Sequence, residues 1–280
     1  MSPCMKKMLV LTSVASYTIQ AQVLMLGNSY TYYNGGVNEA LRSLLYASGR
    51  PQFVEAFTLG GAKLPYHAEQ ASSQGSSVYK SLREISTWKF VVLQDQSTVP
   101  ARVRNQNGDF RASVEAVLEL DDMIAEIGAT TVFYQTWGRR DDGTAAGLGL
   151  QSFEWMNDAL AEGYAYYAGK VTRNGRTPLI APVGNAFRLI YDDSRSLHYK
   201  LYNSDGTHPS PLGTYMTACV MFSTVTGQTS RGLPPSLGLS QSEAEVIQAF
   251  ADRAAFGENI PGPSPSPVPP SATNFEPVDG

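Results

Sequence analysis

In Asp205-Gly206-Thr207-His208-Pro209 a carboxylate stands three residues before a histidine, close enough to orient the imidazole within one short turn. Toward the other end of the chain, Gly27-Asn28-Ser29-Tyr30-Thr31 places a serine just after the apolar run Val23-Leu24-Met25-Leu26. A strand end can present such a hydroxyl, and serine, histidine and aspartate together can activate it as a nucleophile. The other two histidines, His67 and His198, have no carboxylate three residues upstream. His67 has Glu69 nearby, on a segment expected to be a surface helix. His208 is therefore the expected base.

The elements that must bring Ser29 and His208 together follow from hydrophobic periodicity. Residues 23–26, 53–57, 90–93, 130–134 and 178–181 are short apolar runs of the kind found in strands buried on both faces of a parallel sheet. Residues 37–47, 78–85, 114–127, 153–168, 211–226 and 240–256 carry apolar residues at helical spacing, and Gly49 and Gly128 lie just past two of these ends. This alternation of strands and helices predicts an α/β fold with right-handed crossovers. The architecture is a three-layer α/β/α sandwich around a mostly parallel sheet of about five strands. Ligands of such sheets collect at the carboxyl ends of the strands. That rim would carry Asn28-Ser29, Gly60-Gly61, Gln94 to Gln96 and Thr136-Trp137. Gly61 could offer a backbone N–H, and Gln94 or Gln96 a side-chain amide, to a developing oxyanion; each such donor is typically worth about 10²–10³ in rate.

Composition narrows the remaining classes. The 280-residue chain is 42% hydrophobic, enough for a real core in one large domain or two small ones. Its net charge of −4, without any basic run, excludes a nucleic-acid binder and argues against an anionic membrane surface as the main partner. Two cysteines, Cys4 and Cys219, cannot build a disulfide framework, and Cys219 is expected to be a buried small hydrophobe. No His/Cys cluster has zinc spacing, and neither a metal nor an organic cofactor is expected. Lys6 and Lys7, the moderately apolar stretch after them and Ile19-Gln20-Ala21 make residues 1–21 resemble a signal peptide, hence a secreted or periplasmic location. That stretch is too short to span a bilayer comfortably, so no stable membrane insertion is expected. Residues 259–280 are rich in Pro and Ser and read as a flexible tail, leaving 22–258 as the folded domain.

The order of these segments resembles the SGNH superfamily, the GDSL-type esterases and lipases. Gly27 to Thr31 matches the first block, with Asn28 in place of the usual aspartate. Ser29 lies outside the Gly-X-Ser-X-Gly elbow of the α/β-hydrolases. Gly61 sits where the second block has its oxyanion glycine, and Val92 to Ser97 where the third has its oxyanion asparagine. That asparagine is missing, so Gln96, or alternatively Gln94, is the stand-in donor. Asp205 to His208 matches the fifth block. The similarity is nearer to a bacterial branch without an assigned substrate, which shares the Gly-Asn-Ser, Pro-Val-Gly and Asp-Gly-X-His-Pro-Ser segments, here Gly27 to Tyr33, Pro182 to Gly184 and Asp205 to Ser210.

The resemblance implies a flavodoxin-like SGNH hydrolase fold and a serine esterase that works through an acyl-enzyme. Ser29 would be the nucleophile, His208 the base and Asp205 its orienting partner. The expected substrate is a small-molecule or glycan ester. Trp137, Tyr30, Tyr32 and Tyr33 could line a cleft suited to sugar faces, which points to short acyl groups on carbohydrate. Two alternatives stay open: a lipase or thioesterase acting on longer acyl chains, and a non-catalytic carbohydrate-binding module on the same fold.

Overall fold

Residues alternate strictly across the first strand, β1 (Gln22–Gly27). Val23 and Met25 enter one apolar cluster, and Leu24 and Leu26 the other. Both faces of β1 are therefore buried, and only a sheet covered on both sides satisfies such a strand. The structure, a computed structural model, describes residues 22–50, 53–84, 87–141, 147–173 and 175–257. The expected signal segment and Pro/Ser-rich tail lie outside the described residues.

Four further strands, β2 (Val54–Thr58), β3 (Trp88–Leu93), β4 (Thr130–Tyr134) and β5 (Leu179–Ala181), pair with β1 in the order β2-β1-β3-β4-β5. Every pairing is parallel. The predicted three-layer α/β/α architecture is thus the observed one. On one face pack α2 (Val37–Ala47), α7 (Val183–Asp193), α9 (Pro211–Thr226) and α10 (Gln241–Phe256). On the other pack α3 (Leu64–Ser72), α4 (Ser77–Glu84), α5 (Gly108–Glu126) and α6 (Phe153–Val171). A four-residue helix, α1 (Ser29–Tyr32), follows β1 directly, and α8 (Arg195–Lys200) follows α7.

Element boundaries differ from periodicity where capping intervenes. Helix α5 begins six residues before the predicted start at 114, because the Asn107 side chain accepts from the Phe110 amide and opens the helix there. Helices α7 and α8 carry no sequence assignment; Pro182 occupies the N-cap position of α7, which has no side-chain cap. Cys219 is buried as expected, and burial pushes its thiol pKa up.

The order of strands reverses between β1 and β3, which grow outward in opposite directions. The loops after these two strands diverge and open a crevice at their carboxyl ends. Ser29 follows β1 and Gln94 to Gln96 follow β3, so the sheet topology alone brings both segments to that crevice.

Helix α6 packs its Gly163 against the segment at Pro100. A Cβ at this position would lie 2.1 Å from the Pro100 carbonyl oxygen. Alanine normally improves a helix by about 1 kcal/mol over glycine. Here Gly163→Ala is expected to destabilise the fold by about 1–3 kcal/mol, because backbone rather than a movable side chain must yield. Urea denaturation of the two proteins checks the sign.

Candidate active site

Glycine is required at the end of β1. A Cβ on Gly27 would meet Thr31 Oγ1 at 2.4 Å and Gln94 Oε1 at 2.7 Å. With that space left open, Gln94 Oε1 accepts from the Asn28 backbone amide at 2.8 Å and from Thr31 Oγ1 at 3.0 Å. The Gln94 amide nitrogen donates to the Asp95 carbonyl. Gln94 is wholly buried and does not line the cleft. Of the two glutamines expected as oxyanion donors, this one is turned inward, because its side chain takes up the turn that follows β1.

Asn28 caps the short helix that starts at Ser29. Its Oδ1 accepts from the Tyr30 amide at 3.1 Å, and its Nδ2 donates to the Ala62 carbonyl at 2.9 Å and more weakly to the Asp95 carbonyl at 3.4 Å. The amide orientation follows from these partners, since only an oxygen can take the Tyr30 N–H. Asn28 thereby ties the serine turn to the loop that carries Gly61.

The structure brings Ser29, His208 and Asp205 together across 179 residues of chain separation. His208 Nδ1 lies 2.6 Å from Asp205 Oδ2, and Nε2 lies 2.9 Å from Ser29 Oγ. An ionised carboxylate only accepts, so Nδ1 carries the proton and Nε2 is left to accept from the serine hydroxyl. The other carboxylate oxygen of Asp205 accepts the Thr207 and His208 amides, both at 2.9 Å. Burial opposes the charge on Asp205, but the His208 ring and these two amides outweigh it and hold the carboxyl below its usual range.

Aromatic packing fixes the imidazole plane. Tyr33 stacks on the His208 ring with centroids 4.1 Å apart and planes 8° from parallel. Tyr30 meets it edge-on at 5.6 Å, and the Tyr30 hydroxyl bonds Thr207 Oγ1 at 2.6 Å. Trp137 does not line the cleft. It is fully buried between Tyr30 and Phe187, and its Nε1 donates to the Thr207 carbonyl at 3.1 Å. The loop bearing Asp205 and His208 is pinned further by Arg140, whose backbone amide donates to the Gly206 carbonyl and whose guanidinium donates to the Asn203 carbonyl.

Gly61 and Gln96 face the serine. Gly61 has φ +70°, a left-handed conformation that favours glycine. Among the described residues, neither the Ser29 nor the Gly61 amide has a protein acceptor. Gln96 Oε1 accepts from the Thr98 amide and hydroxyl, both at 2.8 Å, while its NH₂ group makes one long bond to Ser97 Oγ at 3.4 Å and keeps its second N–H for the cleft. The cleft has a volume of about 230 Å³. Ser97, Thr207 and Arg139 also line it, and sequence reasoning did not single these out. Arg139 is two residues past the expected rim residue Trp137, and Thr207 lies inside the Asp-Gly-Thr-His block.

Among solved structures, a protein from Slackia heliotrinireducens assigned to the SGNH hydrolases is 30% identical, with 73% of this chain and 98% of that one covered and a TM-score of 0.59. This chain belongs to the SGNH hydrolases. A DUF4886 family protein from Bacteroides uniformis shares the fold, at 19% identity and TM-score 0.66 over 86% of this chain and 97% of that one. So does an acetyl xylan esterase, at 13% identity and TM-score 0.53 over 72% and 98%. No protein-family model matches the chain, and no curated protein matches it by sequence.

The other two histidines of this SGNH hydrolase are structural in their surroundings. His67 does not lie on a surface helix face; it is buried, and its Nε2 donates to the Gly27 carbonyl at 2.9 Å. Its Nδ1 is buried without a partner among the described residues, and burial lowers its pKa to about 4. His198, buried against Tyr202, is likewise lowered to about 4 by burial, with Arg195 and Arg140 adding to the effect.

Two outcomes are expected from this arrangement. Asn28→Asp sets a carboxylate against the Ala62 and Asp95 carbonyls and removes a donor, so it should cost about 1–3 kcal/mol in chemical denaturation at pH 7. The buried histidines should make stability fall with pH. Both rings stay neutral in the fold down to about pH 4, while the unfolded chain takes up their protons from about 6.5 downward. The unfolded state binds more protons throughout that window, so stability is full above it and declines from pH 6.5 toward 4, on the order of 1–3 kcal/mol per histidine. Urea midpoints measured across the window, with His67→Gln giving a shallower slope, check the sign.

Proposed function

We propose that this SGNH hydrolase is a serine esterase that cleaves carboxylic esters with short acyl groups. One observation carries the reading: the continuous hydrogen-bonded chain from Ser29 Oγ through the His208 ring to Asp205, at 2.9 and 2.6 Å. In this mechanism His208 Nε2 takes the Ser29 proton as Oγ attacks the ester carbonyl. Asp205 keeps the proton on Nδ1 and stabilises the imidazolium that forms. The Ser29 and Gly61 amides and the Gln96 NH₂ group receive the tetrahedral oxyanion. His208 then protonates the leaving alcohol, and water repeats the sequence on the acyl-enzyme.

The short-acyl preference rests on the size of the cleft. About 230 Å³ suits an acetyl-sized chain better than a long alkyl chain. Tyr32 remains exposed beside it, 44% accessible, as a surface on which a sugar ring can lie. A glycan as the alcohol fits that surface, and among the structural neighbours an acetyl xylan esterase shares the fold.

A series of p-nitrophenyl esters tests the reading. Turnover should be highest on acetate and fall with chain length, and Ser29→Ala should lose at least about 10³-fold in kcat. Gln96→Ala should lose about 10- to 100-fold in kcat with little change in KM, because an oxyanion donor acts in the transition state. Rising activity with chain length would favour the lipase reading, and a folded wild type inert on every ester would favour a binding module.

A further inference from the structure

Arg139 enters the cleft from the carboxyl end of β4, beside Ser97 and His208. It is half-buried, and its guanidinium makes one hydrogen bond among the described residues, from Nη2 to Ser97 Oγ at 3.2 Å. Its Nε is buried and has no partner there. No carboxylate among the described residues forms an ion pair with it, whereas its neighbour Arg140 is paired with Asp141 at 2.9 Å. Two acids next to cleft-lining residues are otherwise engaged. Asp205 faces His208, and Asp95 is fully buried and accepts from the Leu64 and Gln96 amides and the Tyr167 hydroxyl.

A partly desolvated guanidinium is normally compensated by an anion, because its remaining N–H groups and its charge both lose water. Here the described residues supply none at the place where the substrate must sit. The planar fork of arginine matches the two oxygens of a carboxylate, and one guanidinium in a small cleft suits a single such group. We propose that Arg139 forms a subsite for a carboxylate carried by the ester substrate close to the scissile bond. The preferred substrate is then an acidic ester, either an O-acylated acidic sugar or an ester whose acyl group bears the acid. This inference rests on the esterase reading of the cleft and deepens it by naming the substrate's charge.

Two matched pairs test it and distinguish the sources of the carboxylate. One is a mono-O-acetylated methyl glucuronoside against the matching methyl glucoside. The other is p-nitrophenyl hemisuccinate against p-nitrophenyl butyrate. In one pair the wild type should favour the acid by about 10- to 100-fold in kcat/KM, mostly through KM, as expected for a charge-assisted contact made already in the ground state. Arg139→Gln should collapse that ratio to near one. Arg139→Lys, which keeps charge without the fork, should retain part of it, and 0.5 M salt should reduce it in the wild type. No preference in either pair, or a preference that Arg139→Gln leaves intact, overturns the proposal. Should the wild type turn over no ester at all, calorimetry of Ser29→Ala with glucuronate and with succinate decides. Saturable binding lost on Arg139→Gln sustains the anion subsite while the esterase reading fails, and no binding of either anion sinks both.

Discussion

The site depends on how the chain leaves β1 and β3 side by side. Leu26 and Leu93 are the last paired residues in register on those strands, and the Gln94 amide still donates to the Leu26 carbonyl at 2.9 Å. Beyond that bond the side chain of Gln94 takes over from the ladder and accepts the Asn28 amide. A buried N–H left without an acceptor there would cost about as much as a lost hydrogen bond, so this glutamine lets the backbone turn away from the sheet while remaining dry. The turn frees the Ser29 amide and lifts Oγ onto the rim. Gly27 is the other half of the same constraint, since any side chain would displace Gln94 and Thr31.

Beneath the rim lies a second buried polar center. Asp95 is fully buried, and burial raises its pKa, although its hydrogen bonds oppose the shift. Its oxygens gather the first amide of α3, the Gln96 amide and the Tyr167 hydroxyl of α6. The carboxyl therefore fixes the loop that displays Gln96 relative to two helices on one face of the sheet. The Asp205–His208 pair is built in the opposite way. It is local and more exposed, and its geometry comes from a three-residue turn in which one carboxylate binds two backbone amides and an imidazole. Long-range packing enters through the rings of Tyr33, Tyr30 and Trp137 and through Arg140, which set where that compact unit lies relative to Ser29.

Much of this was legible in residue order. Five apolar runs alternating with helical patterns specify a parallel sheet covered on both faces, because strands buried on two sides have no polar alternation to reveal. The helix at 211–226 was read to its observed ends because Pro211 and Gly227 punctuate it, with Ser210 as its cap. Helices 183–193 and 195–200 were not legible: the first opens at Pro182 and Gly184, which are also turn signals, and the second is only six residues long. His67 was misplaced because nearby polar residues suggest a surface helix, while the burial of one helix face depends on what packs against it.

The pairing of Asp205 with His208 was legible in the sequence alone, because three residues of separation let one short turn bring a carboxylate to an imidazole. Ser29 was placed at a strand end for the same local reason. The tertiary structure decided which glutamine faces the cleft, that Trp137 lies beneath it rather than along it, and that Arg139 enters it. These are questions of side-chain direction at strand ends. There the alternation of the sheet has ceased, and the partners that set each direction lie tens of residues away in the chain.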